Sequence, residues 1–300
     1  MTGLHVREHM SSSATQRSDW RGVVQRIRRD RRAMIAGGTL LAIALLVLIG
    51  PLLVAYAPYE TPDIINGVHL RPGASHPLGT DAFSRDVLSR VLDGGRISLA
   101  VAVSAVCIET MLGVLWGVSA GMIGGTLDTV LMRCVDAGMS VPRVLLLLAL
   151  LGAMPQVPLW LLVVILGATG WFGIARLVRG EVRGIRSADF VLAARALGAT
   201  PRRLALRHLL PHVAGPVLVA STLAIGQVIV LEAGLSWLGI GVRPPQASWG
   251  NIIKDGTEFI QNAPWVSVAP GICLVAVVLA LSAFGDGLRD ALAPRQLPLT

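Results

Sequence analysis

Apolar residues run through this chain in six blocks: 34–57, 97–121, 127–151, 157–178, 213–236 and 266–286. A helix needs about 20 such residues to cross a hydrocarbon core of ~30 Å. The fold class expected is therefore all-α integral membrane protein with six transmembrane helices. The first block carries Leu, Ile or Val at twelve positions from Ile35 to Val54, which favours insertion by roughly 5 kcal/mol. Ala55-Tyr56-Ala57 formally fits a signal-peptidase site. The apolar run is nevertheless too long for an h-region of about 7–15 residues, and a basic tail precedes it, so the helix is read as retained.

The remaining segments follow by subtraction: a basic tail at 1–33, an extracytoplasmic segment at 58–96, a polar loop at 179–212, an outer loop at 237–265 and a tail at 287–300. Of the 300 residues, 53% are hydrophobic and 15% charged, with a mean hydropathy of +0.66. A soluble domain carries about 25% charge, so an ordinary soluble enzyme is excluded. The net charge of +8 would fit a nucleic-acid partner if it were spread evenly, but it is not. Arginine clusters at 7–32 and again at 176–207, while 58–96 and 237–265 share six basic residues. By the positive-inside rule both clusters are cytoplasmic, as are both termini. The basic balance thus reports topology.

Within the polar loop, residues 187–211 are too polar to span and too patterned to be slack. Ser187 or Asp189 is placed to cap a short helix with Phe190, Ala194 and Leu197 on its apolar side. Gly198 is its expected terminator. Thr200-Pro201 reads as N-cap and first residue of a second helix presenting Leu204, Leu206, Leu209 and Leu210, which Pro211 closes. Arg195, Arg202, Arg203 and Arg207 accompany these faces, as suits insertion into a partner's groove.

Gly113, Gly117, Gly121 and Gly125 recur every fourth residue, the spacing that lets helix backbones approach closely. Glu109 stands midway along the second span, where an acid costs about 2.5–3.5 kcal/mol. It should face the bundle or a wet cavity, and Glu109→Leu should insert at least as well. Glu109, and with it Gln227 and Glu232 on the fifth span, either lines a translocation route or makes a buried hydrogen bond to Ser or Thr on a neighbouring helix. Asp128 and Asp136 read as helix-end residues, and His208 and His212 as caps of the second loop helix. The other histidines, His69 and His76 among them, stand alone. Cys107, Cys134 and Cys273 form no CxxC pair and no metal-ligand spacing, and read as packed thiols.

Ala193-Ala194, then Gly198, then Leu210-Pro211 resemble the EAA signature of permease subunits of bacterial ABC importers. Four further motifs narrow the resemblance to the dipeptide/oligopeptide/nickel branch, on its DppC/OppC-type side. They are His76–Asp81 with Arg85–Arg90; Gly124–Asp128 with Met132-Arg133, Asp136 and Ser140-x-Pro142; Glu232–Gly239 with Pro244-Pro245 and Ser248–Gly250; and Gly285–Asp290 before Pro294-Arg295. One departure is visible, since Leu192 stands where the signature has glutamate. The resemblance implies a type I ABC importer permease fold, with a permease domain over 97–290. It implies a homologous permease partner (DppB/OppB type), two ATPase subunits that use ATP and Mg, and an extracytoplasmic solute-binding protein. It places the ATPase-coupling loop on Ala193, Ala194, Arg195, Gly198, Ala199, Thr200, Pro201, Arg202 and Arg203.

Lys254 is the only lysine and lies in no G-x-x-x-x-G-K-[ST] sequence, so this chain supplies no P-loop. No nucleophile elbow and no HExxH sequence is present. A non-catalytic permease without cofactor or metal is the expectation. An ion-gradient-driven secondary transporter or channel acting alone is the alternative.

Overall fold

The computed structural model describes residues 20–292, which are helical throughout apart from connecting loops and one isolated bridge between Thr80 and Asp86. The tail at 1–19 and residues 293–300 lie outside the described residues. A short amphipathic helix α1 (Trp20–Arg29) leads into α2 (Arg31–Ile49). Asp30 separates them, because its carboxylate accepts from the Arg32 and Ala33 amides at 2.8 and 3.4 Å and so starts a new helix. Helix α2 and a 3-10 turn at Gly50–Leu52 make the first span, which stops short of residue 57.

Helix α3 (Val87–Ile123) begins ten residues before the expected boundary at 97. At 37 residues it is ~55 Å long and projects beyond any bilayer core. Asp86 starts it, accepting from the Ser89 amide at 2.8 Å. Helix α3 is the central post, with 39% of its most apolar window buried against 22% for the first span.

The third and fourth spans are both broken. Helices α4 (Gly125–Ser140) and α5 (Arg143–Gly152) meet at 77° across Val141-Pro142. Proline disfavours a helical residue before it, and Val141 is extended. Helices α6 (Leu159–Gly170) and α7 (Phe172–Ile185) bend by 43° at Trp171. The Arg143 guanidinium donates to the Leu166 carbonyl at 2.7 Å. A side chain that enters the carbonyl ladder in this way is a recognised cause of a kink.

Beyond α7 come α8 (Asp189–Ala196) and α9 (Pro201–Leu204), then a π-helical turn at Ala205–Leu209 and α10 (Leu210–Trp237). Pro211 closes nothing. The helical run from 201 to 237 is continuous. In the π turn the Leu210 amide bonds five residues back to Ala205, so the ladder has shifted before the proline's missing N–H is reached. Helix α11 (Trp249–Thr257) lies in the loop before α12 (Trp265–Leu292), which outruns the expected end at 286.

Lipid offers apolar side chains no less than a protein core does, so close packing and polar contacts hold such bundles. Gly113, Gly117 and Gly121 show the first. A Cβ at each would fall 2.7, 2.6 and 2.8 Å from Ile174, the Ala175 carbonyl and Val182 of α7. Gly125 lies past the end of α3 with φ +62° and nothing near it, so it is not part of that face. Cys107 and Cys134 are exposed rather than packed, and Cys273 is half-buried.

Candidate functional site

The loop after α7 is built around one turn. Gly198 has φ +81°, a left-handed conformation that glycine adopts without the Cβ penalty. Its amide bonds to the Arg195 carbonyl at 2.9 Å and the Ala199 amide to Ala194 at 3.0 Å, a complete Schellman closure of α8. The Thr200 hydroxyl then accepts from the Arg203 amide at 3.3 Å, with Pro201 as first helical residue. Helix α8, however, has Ala188 as its N-cap with no side-chain cap bond, so neither Ser187 nor Asp189 fills that place.

The apolar face of α8 also differs from expectation. Val191 is the fully buried residue, with Ala194 packed beside it against Val178, Val182, Leu204, Leu209 and Val213. Phe190, Leu192 and Leu197 point outward, Leu197 being 89% exposed, as does Leu206. A helix this short buries only one stripe, and of the i, i+4, i+7 set only Ala194 lies on it. Arg195, Arg202 and Arg203 are exposed too, as are Ala193, Gly198, Thr200 and Pro201, while Ala199 is half-buried. Thr200, Arg202, Arg203, Leu206 and Arg207 line an open cleft of about 480 Å³.

This loop sits at the same end as α1. A Cβ at Gly215, early in α10, would lie 3.4 Å from Leu292, and one at Gly287 would meet Ala33 and Asp30. Two ion-pair groups root the loop in the bundle. Arg179 reaches Asp128 with two nitrogens at 2.5 and 2.8 Å, joined by Arg183 at 3.4 Å. Arg176 pairs with Asp136 at 2.6 Å. Asp128 does stand at a helix end, in the first turn of α4, and both it and Asp136, which lies within that helix, tie α4 to α7. His208 and His212 cap nothing, because no helix ends there, and His212 instead lies 6.3 Å from the Phe190 ring. No group of three metal-ligating side chains occurs among the described residues.

The three route candidates separate. Glu109 is 2% exposed and pairs with Arg143 of α5, beside Gly170, where a Cβ would strike its carboxylate. Its partner is a guanidinium, not a hydroxyl, and it locks α3 at the place where both broken spans turn. Arg143 went unread because it falls inside an apolar block, yet an arginine there is itself the signal for a nearby acid. Glu232 is fully buried, accepting from the Ser98 and Ser236 hydroxyls at 2.9 and 2.6 Å. Gln227 is exposed on α10.

The far end carries a polar mesh that single-residue reading missed. His76 lies 2.9 Å from Asp86 and stacks on Tyr56 at 4.6 Å. Arg90, 5% exposed, bridges Asp81 at 2.7 Å and Asp255 of α11 at 3.2 Å, and Arg85 adds a second contact to Asp81 at 2.7 Å. Burial pushes the Asp255 carboxyl up from its ordinary range, and Arg90 pulls it back. Burial, then the bond to Asp93 at 2.7 Å, pushes the Tyr59 phenol up to about 12. Trp249, fully buried, donates to the Val91 carbonyl at 2.9 Å and pins α11 to α3.

An apolar helical bundle of four to six candidate spans with an outward-facing arginine-rich loop is the build of a membrane-embedded component. Residues 113–297 match the family described as binding-protein-dependent transport system inner membrane component. Residues 18–72 match the N-terminal TM domain of oligopeptide transport permease C. The chain is 34% identical over 276 residues to the oligopeptide transport system permease protein OppC of Bacillus subtilis, covering 92% of this chain and 90% of that protein. It is 41% identical over 259 residues to a putative peptide permease protein of Brucella suis (83% and 85% covered). It is 36% identical over 272 residues to the dipeptide transport system permease protein DppC of Bacillus subtilis (90% and 84% covered). The chain belongs to this family and is a permease component of an ABC importer.

Proposed function

We propose that this chain pairs with a homologous permease of the DppB/OppB type in the inner membrane and encloses half of a translocation path. The cargo is a di- or oligopeptide, or a related small solute such as nickel. Separate ATPase subunits, using ATP and Mg, grip the loop at 193–203, and an extracytoplasmic binding protein delivers cargo to the far end. The arginine-rich end, with both termini, faces the cytoplasm. The observation that supports this reading is the Gly198 turn. A fully hydrogen-bonded corner presents Leu192, Leu197 and Leu206 beside Arg202 and Arg203, a surface that needs a cover. ATPase closure then levers the loop as a rigid body. Of the route candidates, Gln227 alone stays open towards a partner, and Glu109 and Glu232 act as internal braces.

Reconstitution tests it. Uptake into proteoliposomes should require both permeases, the ATPases, ATP and the binding protein. Uptake by this chain alone under an ion gradient would establish the alternative. A maleimide that cannot cross the membrane should label Leu197→Cys, in a chain freed of its own cysteines, only from the ATPase side.

The brace at Glu109 has its own test. Glu109→Leu strands the Arg143 guanidinium, so it should lower bundle stability by about 3–5 kcal/mol, and replacing both by leucine should restore most of that. The thermal midpoint in detergent is the readout. Insertion of the single helix is a separate matter, because the cost of this variant arises between helices.

A further inference from the structure

Between the α5–α6 connection and the chain after α10 lies a half-open cleft of about 680 Å³, within the range of small-molecule sites, roughly 300–1,000 Å³. Val157, Leu162 and Val242 form a buried apolar floor, and Gln156, Arg243 and Gln246 stand at the rim. Of the arginines with an unpartnered buried nitrogen among the described residues, Arg243 alone has no acid. Its guanidinium donates across the cleft to the Pro155 carbonyl, its Nε is buried without a partner, and no carboxylate lies within 4.0 Å of it among the described residues. Arg85, Arg90 and Arg143, which also have an unpartnered buried nitrogen, all have acids. A half-buried cation without a counter-ion is costly, and guanidinium matches carboxylate geometry with paired N–H donors.

The arginine is also held in place. The Ser236 hydroxyl accepts from the Val242 amide at 2.9 Å and donates to buried Glu232 at 2.6 Å, while Asn251 donates to the Val242 carbonyl at 3.3 Å. Gly241 packs so tightly on Ser236 that no side chain fits. The Glu232–Ser236 brace therefore fixes the backbone that carries Arg243.

We propose that this cleft is an entry subsite in which Arg243 receives the terminal carboxylate of the peptide cargo. It rests on the peptide reading above. Glu232 is a positioning residue for it.

The test is saturation-transfer NMR on the assembled permease–ATPase complex in nanodiscs, without binding protein, using Ala-Ala and its C-terminal amide as probes. Ala-Ala should give a signal roughly tenfold above the amide, the difference expected of a charge-assisted pair. Arg243→Gln should bring Ala-Ala down to the amide level, and Arg243→Lys should retain part of the difference. Equal signals, no signal for either probe, or an undiminished signal in Arg243→Gln overturns the subsite. An undiminished signal joined to weaker stimulation of ATP hydrolysis by the binding protein would assign Arg243 to an acid of that protein instead. Uptake by the intact transporter is measured alongside. If it imports no peptide, the cargo reading fails, and if it imports peptide without the discrimination above, only the subsite fails.

Discussion

The two ends of the bundle solve the same problem in opposite ways. At the far end every one of Asp81, Arg85, Asp86, Arg90 and Asp93 has a partner within the chain, and α11 is clamped down by Trp249 and Arg90. At the arginine-rich end, Arg195, Arg202, Arg203 and Arg207 have no carboxylate within 4.0 Å among the described residues, beside leucines left in the open. The lesson concerns where energy is stored. At the far end the carboxylates of the mesh are satisfied within the chain. The loop is ordered by backbone bonds at one turn and leaves its side chains for another molecule to satisfy.

Of the two ends, the far mesh should lose more stability when broken. Arg90→Met leaves Asp81 buried with one partner fewer, and should cost about 3 kcal/mol in the thermal stability of the purified chain. Arg202→Met, on the loop, should stay within about 0.5 kcal/mol. Equal losses would erase the contrast.

The loop should respond instead in function. In Gly198→Ala the added Cβ meets no neighbour, so bulk is not the obstacle. The φ of +81° is, at about 1–2 kcal/mol for a residue bearing a Cβ. Uptake per ATP hydrolysed should fall severalfold while insertion and the far mesh remain intact, and Gly198→Asn should lose less. Unchanged coupling in Gly198→Ala would show that the turn does not transmit force.

The smallest effect sharpens the far end. Tyr59 ionises at about 12 instead of 10, so its contribution is complete below pH 10 and disappears as pH rises through about 12. Difference absorbance of the wild type against Tyr59→Phe should show a phenolate step near 12. A step near 10 would detach Tyr59 from Asp93.

Much of the loop was readable because its signals are local. Gly198 and Thr200-Pro201 are turn chemistry written in consecutive residues. The break at Pro142 was equally local and was passed over, since apolar content masked the meaning of Val141-Pro142. His76 looked solitary because its acid is ten residues away across a turn, and Arg243 because its solitude is a fact about space.

The sequence by itself determined that the chain lives in a membrane, how many apolar blocks it has and where its charged loop turns. Each of these depends on residues within about 20 positions of one another, the length over which a helix is apolar or a cap is made. Only the tertiary structure decided that Glu109 meets Arg143, that two blocks are bent, that α8 buries Val191, and that Arg243 is left without an acid. Those outcomes join residues far apart in the chain, and a linear pattern carries no record of which helix faces which.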